Sequence, residues 1–181
     1  IKCEMEFLNH VNENNEKILS YIKDGKVVHV DETSVKVNTD LHWIHTISNE
    51  RGIFYTVTKK RCDRETGPLD KLASFNNVLV HDHLKSYYTL ENCQHAECNA
   101  HIQRYLQEGI DFEDSEACGK VLEILQMSLH RKHELQRKGY GRMAEEEVSA
   151  ISGMMQTVMS EEIRRYSEEH PDIKKRYEAS Y

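Results

Sequence analysis

The fold is most constrained by a short valine-rich run, residues 26–33, that ends in two acids. Asp24 and Gly25 favour a turn before it, so the run predicts a buried strand over about 26–32 with Asp31 and Glu32 at its carboxyl end. A charge at the edge of an apolar core needs a partner or a metal ion. We therefore expect these acids to have a defined partner.

A second apolar run repeats the pattern about fifty residues later. Residues 77–82 predict another strand that ends in an aspartate, Asp82. If the two strands are adjacent and parallel, Asp31 and Asp82 meet at one edge of the sheet, where ligands bind in open α/β sheets. Carboxylate oxygens suit Mg²⁺, and two such ions can drive phosphoryl transfer. Aspartates also end strands as turn formers, so spacing alone leaves both interpretations open.

The remaining pattern predicts how the two strands are connected. Strands over 41–48 and 53–58 follow the first one closely, which indicates an antiparallel meander. Pro68 suits the first turn of a short helix over 68–75, and a helical crossover makes the next strand parallel to an earlier one. A helix over 1–23 and another over about 97–108 flank this β-β-β-α-β order.

From about residue 113 strand signals vanish and two helical apolar stripes appear. The segment Gly139-Tyr140-Gly141 separates them, and Pro171 should end the second stripe before a further helix in 172–181. The predicted organisation is an N-terminal packing helix (1–25), an α/β body (26–112) and an all-helical module (113–181).

Composition narrows the possible functions. The net charge of −7 argues against a general nucleic-acid binder. A basic cluster at Lys59, Lys60 and Arg61 is either a solvated loop or a phosphate contact. The five cysteines are odd in number and form no CxxC pair, which indicates free thiols in a reducing compartment.

No run of eighteen apolar residues predicts a membrane span. The first residue is Ile1, so we expect a piece of a longer protein.

Four segments in order resemble the insertion-sequence sixty-six family of DDE transposases. They are Val-Val-His-Val-Asp-Glu-Thr at 27–33, Leu-His-Trp-Ile-His at 41–45, Val-Leu-Val-His-Asp-His-Leu-Lys-Ser-Tyr at 78–87 and Cys-Asn-Ala-His-Ile-Gln-Arg-Tyr-Leu at 98–106. The resemblance covers about residues 20–108 and implies a ribonuclease-H-like core. It also implies that Asp31 and Asp82 are the first two catalytic, metal-binding acids.

The resemblance further implies a bacterial enzyme that cuts and joins DNA at transposon ends with two Mg²⁺ or Mn²⁺ ions. Its partners would be DNA and other copies of itself assembled on DNA, and its location the cytoplasm, associated with the nucleoid. The family's third acid, a glutamate in an Asn-Asn-x-Ala-Glu-Arg-type helix, has no counterpart here. We therefore expect residues 113–181 to be the family's helical insertion, and a fragment that ends before the glutamate to be inactive.

Further residues have possible supporting roles. Glu32 adjoins Asp31 and faces the opposite side of the strand, so it is a candidate for a supporting position, as are His81 and His83 around Asp82. Lys85 and Arg104, together with the basic cluster, are candidate DNA contacts. The set Cys93, His95, Cys98 and His101 has zinc-like composition but irregular spacing.

Two alternatives stay open. One is another ribonuclease-H-like nuclease that finds its third acid within the chain, at Glu97 or Glu108. The other is a non-catalytic interaction module in which the helical part 113–181 binds a partner and both aspartates are structural.

Overall fold

The computed structural model describes residues 2–61 and 63–170, with side chains from residue 13 onward. The chain divides into two compact units, Ile1–His101 and Ile102–Tyr181. The first unit contains α1 (Lys2–Lys23), β1 (Val27–Val37), β2 (Asp40–Asn49), β3 (Gly52–Thr58), α2 (Pro68–Lys71), β4 (Val78–His81), a 3₁₀ turn (Tyr87–Thr89) and β5 (Gln94–Glu97). Helix α3 (Asn99–Glu113) begins at the division, and α4 (Glu116–Arg137) and α5 (Glu145–Glu169) follow.

The five strands form one mixed sheet in the order β3-β2-β1-β4-β5. Strands β1, β2 and β3 are antiparallel neighbours, whereas β4 pairs with β1 in parallel and β5 pairs with β4 in parallel. The predicted meander and the parallel fourth strand are therefore confirmed. Strand β5 is an addition that the sequence pattern did not predict.

The core lies on one face of this sheet. Val28 and Val30 alternate inward along β1, and both are at least 97% buried. The other core residues come from α1, the neighbouring strands, the segment around α2 and the 3₁₀ turn: Leu19, Ile22, Ile47, Phe54, Leu69, Leu72, Phe75, Leu79 and Tyr87. Burying apolar side chains of this size stabilises the fold by roughly 1.5–3 kcal/mol each.

Strand β1 and helix α2 are among the elements whose length differs from the prediction. Strand β1 does not end at its acids but continues to Val37, because the β-branched residues beyond Glu32 pair with β2 up to the hairpin at Asn38. Helix α2 ends at Lys71 instead of about 75. After it the amide of Phe75 bonds to the carbonyl of Leu72, which tightens the chain into turns.

In its described residues, 102–170, the second unit is built from helices, as the apolar stripes predicted. The Ser115 side chain caps α4 by accepting from the amide of Cys118 at 3.3 Å. Gly139 has a φ of 81° and ends that helix in the left-handed region. The Arg131 guanidinium joins Glu134 of its own helix to Glu147 of α5, at 2.9 and 2.8 Å. The predictions for Pro171 and 172–181 fall outside the described residues.

The structure describes the side chains of three cysteines, Cys93, Cys98 and Cys118, and all three are free thiols. The same prediction for Cys3 and Cys62 falls outside the described side chains.

Candidate active site

The parallel register of β1 and β4 sets the positions of the two predicted catalytic acids. His29 pairs with Val80, so Asp31 and Asp82 each lie two residues further along neighbouring strands. Asp31 is exposed and lies opposite Thr46 of β2, on the face of the sheet away from the core. Asp82 follows the last residue of β4, and its side chain is 12% exposed. The backbone thus places the two residues at the same level of the sheet, where β4 ends and β1 continues.

Glu32 points to the core face, and its side chain is only 1% exposed. The buried Tyr87 hydroxyl donates to Glu32 Oε2 at 2.6 Å. Arg61 donates to the other oxygen, Oε1, from Nε at 2.9 Å and from Nη2 at 2.8 Å. Both oxygens of this buried carboxylate are therefore partnered, as the energetics of buried charge require.

Arg61, predicted as a DNA contact, lies among acids. Its guanidinium stands 5.1 Å from the centre of the Trp43 ring, and its Nη2 is 3.6 Å from Asp82 Oδ2. The other Asp82 oxygen, Oδ1, accepts from the amide of Leu84 at 3.1 Å. Lys59, Lys60 and Lys85 are exposed. The structure thus links Glu32 to Asp82 through a guanidinium.

The pKa of Tyr87 shows that its surroundings are negatively charged. Burial raises the pKa of its phenol, and the hydrogen bond to Glu32 raises it further. The negative charges of Glu32, Asp82 and Asp31 all act in the same direction. The phenol therefore remains a neutral donor, and three carboxylates from two neighbouring strands act on it together.

A polar cavity of about 300 Å³ opens beside Asp31. Its lining consists of His29, Val30, Asp31, Thr46, Ser48, Val80, Cys98 and His101. Sequence reasoning did not identify His29, Thr46 and Ser48 as residues that line this cavity. The signal was available for His29, because alternation along β1 places it on the same face as Asp31.

His81 and His83, the predicted neighbours of Asp82, have different surroundings. His81 is fully buried, its Nε2 lies 2.9 Å from Nδ1 of His95, and burial lowers its pKa. His83 is exposed and contacts Glu97 Oε1 at 2.5 Å.

Glu97, one of the two alternative third acids, is engaged by neighbouring side chains. The Tyr88 hydroxyl donates to it at 2.6 Å. This bond and the His83 contact lower the pKa of Glu97, and the bond raises the pKa of Tyr88 to about 12. Glu108, the other alternative, and Arg104, a predicted DNA contact, lie exposed on α3 in the second unit.

The donor chemistry of the strand edge suits Mg²⁺, since the carboxylates of Asp31 and Asp82 are hard oxygen ligands. The guanidinium beside Asp82 shows that a positive charge is accommodated there. Within the described part of the chain, no group of three or more His, Cys, Asp or Glu side chains is arranged to hold a metal ion. The same finding applies to the zinc-like set of Cys93, His95, Cys98 and His101, which is not arranged to hold a metal ion.

Comparison with known proteins gives one match. Residues 3–179 match the family model described as transposase IS66 family. No curated protein and no solved structure matches the chain. None of the described helices is both long and apolar enough to cross a membrane.

Proposed function

Since this chain belongs to the transposase IS66 family, we propose that it supplies part of the catalytic centre that cuts and joins DNA strands at transposon ends. Membership implies binding to DNA and a DNA-processing activity. The finer assignment is to metal-dependent phosphoryl transfer by a DDE-type site. The observation that carries it is the register of β1 and β4, in which Asp31 and Asp82 each lie two residues beyond the paired His29 and Val80.

The proposed ribonuclease-H-like core is supported by the topology of the sheet. Three antiparallel strands are followed by a helix and two parallel strands, in the order β3-β2-β1-β4-β5. This places Asp31, in the middle of β1, beside the carboxyl end of β4, which Asp82 follows, near the middle of the sheet. In open α/β sheets ligands bind at such carboxyl ends.

Asp31 and Asp82 would hold the divalent ions, Mg²⁺ or Mn²⁺. When bound, such ions activate an attacking oxygen and stabilise the leaving oxygen of a phosphodiester. Mg²⁺ is usually bound by one or two carboxylates, with water and substrate phosphates completing its ligands. Asp31 and Asp82 therefore supply part of a ligand set, which a third acid would complete.

The chain's own residues would orient the substrate and set the local charge. The cavity beside Asp31 is lined by Ser48 and His29, whose side chains can donate to phosphate oxygens, and by Thr46, whose hydroxyl donates to the Asp31 carbonyl at 3.3 Å. The exposed Lys59, Lys60 and Lys85 can approach a DNA backbone. Residues 113–181 would be the family's helical insertion, and the complete enzyme would assemble as an oligomer on DNA in the bacterial cytoplasm.

Mn²⁺ binding tests the acid pair. Isothermal titration calorimetry of the 181-residue chain should show binding that weakens at least fivefold in Asp31→Asn and in Asp82→Asn, because each change removes one ligand charge. Asp40→Asn is the matched control, since Asp40 is an exposed acid at the β1–β2 hairpin. Equal affinity in the parent and in both variants would refute the assignment.

A further inference from the structure

The ion network around Asp82 carries an inference beyond the two catalytic acids. Glu32, Arg61 and Asp82 form a chain in which a cation lies between two carboxylates, 2.8 Å from one and 3.6 Å from the other. We propose that Arg61, held by Glu32, is a resident counter-cation of Asp82 that a divalent metal ion must displace. This inference rests on the proposed metal-binding role of Asp82.

Glu32 anchors the guanidinium. Its carboxylate is almost completely buried, and the Tyr87 hydroxyl occupies one of its oxygens. The second oxygen receives two N–H groups of Arg61, which fixes the plane of the guanidinium. Loss of this cation would leave the carboxylate charged and uncompensated in the core, which is strongly destabilising.

Trp43 supports the same position from another strand. The guanidinium lies 5.1 Å from the ring centre, within the range of a cation–π contact. Glu32 of β1 and Trp43 of β2 therefore both hold Arg61. Asp82, which follows β4, faces the positive charge of this guanidinium. The arrangement matches Arg better than Lys, because a planar guanidinium can bond to the Glu32 carboxylate and lie over the Trp43 ring at the same time.

The contact with Asp82 is the weaker end of this chain. At 3.6 Å it is longer than a hydrogen bond, and the Arg61 side chain remains 44% exposed. A divalent ion that approaches Asp82 is repelled by the positive charge of Arg61. If the guanidinium stays in place, this repulsion lowers the affinity of Asp82 for the ion, so tight binding requires the guanidinium to move away. Arg61 thereby sets how strongly Asp82 binds metal, without being a metal ligand itself.

Arg61→Gln removes the competing charge. We expect its Mn²⁺ dissociation constant, measured by calorimetry on the full chain, to fall roughly tenfold; partial exposure limits the effect. Arg51→Gln is the matched control, because Arg51 is an exposed arginine that pairs only with Glu50 in the described contacts. Its dissociation constant should stay within about twofold of the parent value.

Trp43 provides a second, independent measurement, because it is the single tryptophan and it contacts Arg61. Titration of the parent with Mg²⁺ should change Trp43 fluorescence as the guanidinium moves. The same titration of Arg61→Gln should leave the emission unchanged while calorimetry still shows binding. Arg61→Lys keeps the charge without the fork and should have an affinity between those of the parent and Arg61→Gln.

The outcomes separate this inference from the proposed function. If Asp31→Asn and Asp82→Asn bind Mn²⁺ as the parent does, the metal site fails and Arg61 has no role in it. If those variants lose affinity but Arg61→Gln equals the parent or binds more weakly, only the role of Arg61 is overturned. Should Arg61→Gln fail to fold, the parent decides: metal binding without a change in Trp43 emission refutes displacement.

Discussion

Tyr87 gives the sharpest test of the buried network. Replacing it with Phe keeps the ring in the core and removes only the hydroxyl that donates to Glu32 at 2.6 Å. Both groups are almost fully buried, so the lost bond is one to a charged acceptor that water cannot replace. Such a bond is worth about 1.5–3 kcal/mol, and we expect Tyr87→Phe to lower the free energy of unfolding by about 2 kcal/mol.

Tyr88 is a matched control in the same segment. Its hydroxyl donates to Glu97 at the same 2.6 Å, but Tyr88 is 40% exposed and the Glu97 side chain 34% exposed. Water can replace this bond, so Tyr88→Phe should lower the free energy of unfolding by less than about 0.5 kcal/mol. The comparison separates the effect of burial from that of bond length.

Trp43 fluorescence during urea unfolding reports the sheet unit alone, because that unit contains the single tryptophan. With a slope of about 2 kcal/mol per molar urea, Tyr87→Phe should shift the midpoint by about 1 M. A shift no larger than that of Tyr88→Phe would refute the argument that buried Glu32 depends on this donor.

Two further predictions concern pH and helix composition. Burial lowers the pKa of His45 below its usual 6.5. Just below pH 6.5 the His45 ring is therefore protonated in the unfolded chain but neutral in the folded chain. As the pH is lowered below 6.5, the free energy of unfolding should therefore fall by up to about 1.4 kcal/mol per pH unit. Urea titrations of His45→Gln at several pH values should show a smaller slope, and an unchanged slope would contradict this prediction. In the helical unit, no described atom lies within 4 Å of a Cβ added at Gly119, so Gly119→Ala should stabilise α4 by about 0.5–1 kcal/mol in thermal melts followed by circular dichroism. Gly109→Ala should destabilise instead, because its Cβ would lie 2.6 Å from Cys118 Sγ, and a shared sign for both changes would contradict the packing described here.

Local pattern was sufficient to predict most of the sheet. Alternating apolar residues identified β2 and β3, and the helical crossover at Pro68 predicted that β4 would be parallel. Strand β5 was not predicted, because Gln94–Glu97 has only four residues of mixed polarity and no apolar alternation. Its structure comes from pairing with β4, which is a tertiary interaction that no local pattern encodes.

The neighbours of the acids could be predicted only in part. Alternation correctly placed Glu32 on the face opposite Asp31. The partners of Glu32 lie 29 and 55 residues away in sequence, so Arg61 and Tyr87 could not be assigned to it from spacing. Arg61 in particular belonged to a basic cluster that suggested phosphate contacts, and only the fold shows that it is paired with carboxylates.

Adjacent acids in one strand have different roles because of the pleat. Successive side chains point to opposite faces, so Asp31 lines an open polar cavity while Glu32 enters the core. A carboxylate in the core must be neutralised, and the cation that neutralises Glu32 reaches Asp82 at the end of the next strand. The buried acid thus controls the charge beside one proposed metal ligand, although it faces away from the other. The pleat therefore allows an Asp-Glu pair in one strand to present the aspartate to a cavity while the glutamate pairs with a cation in the core.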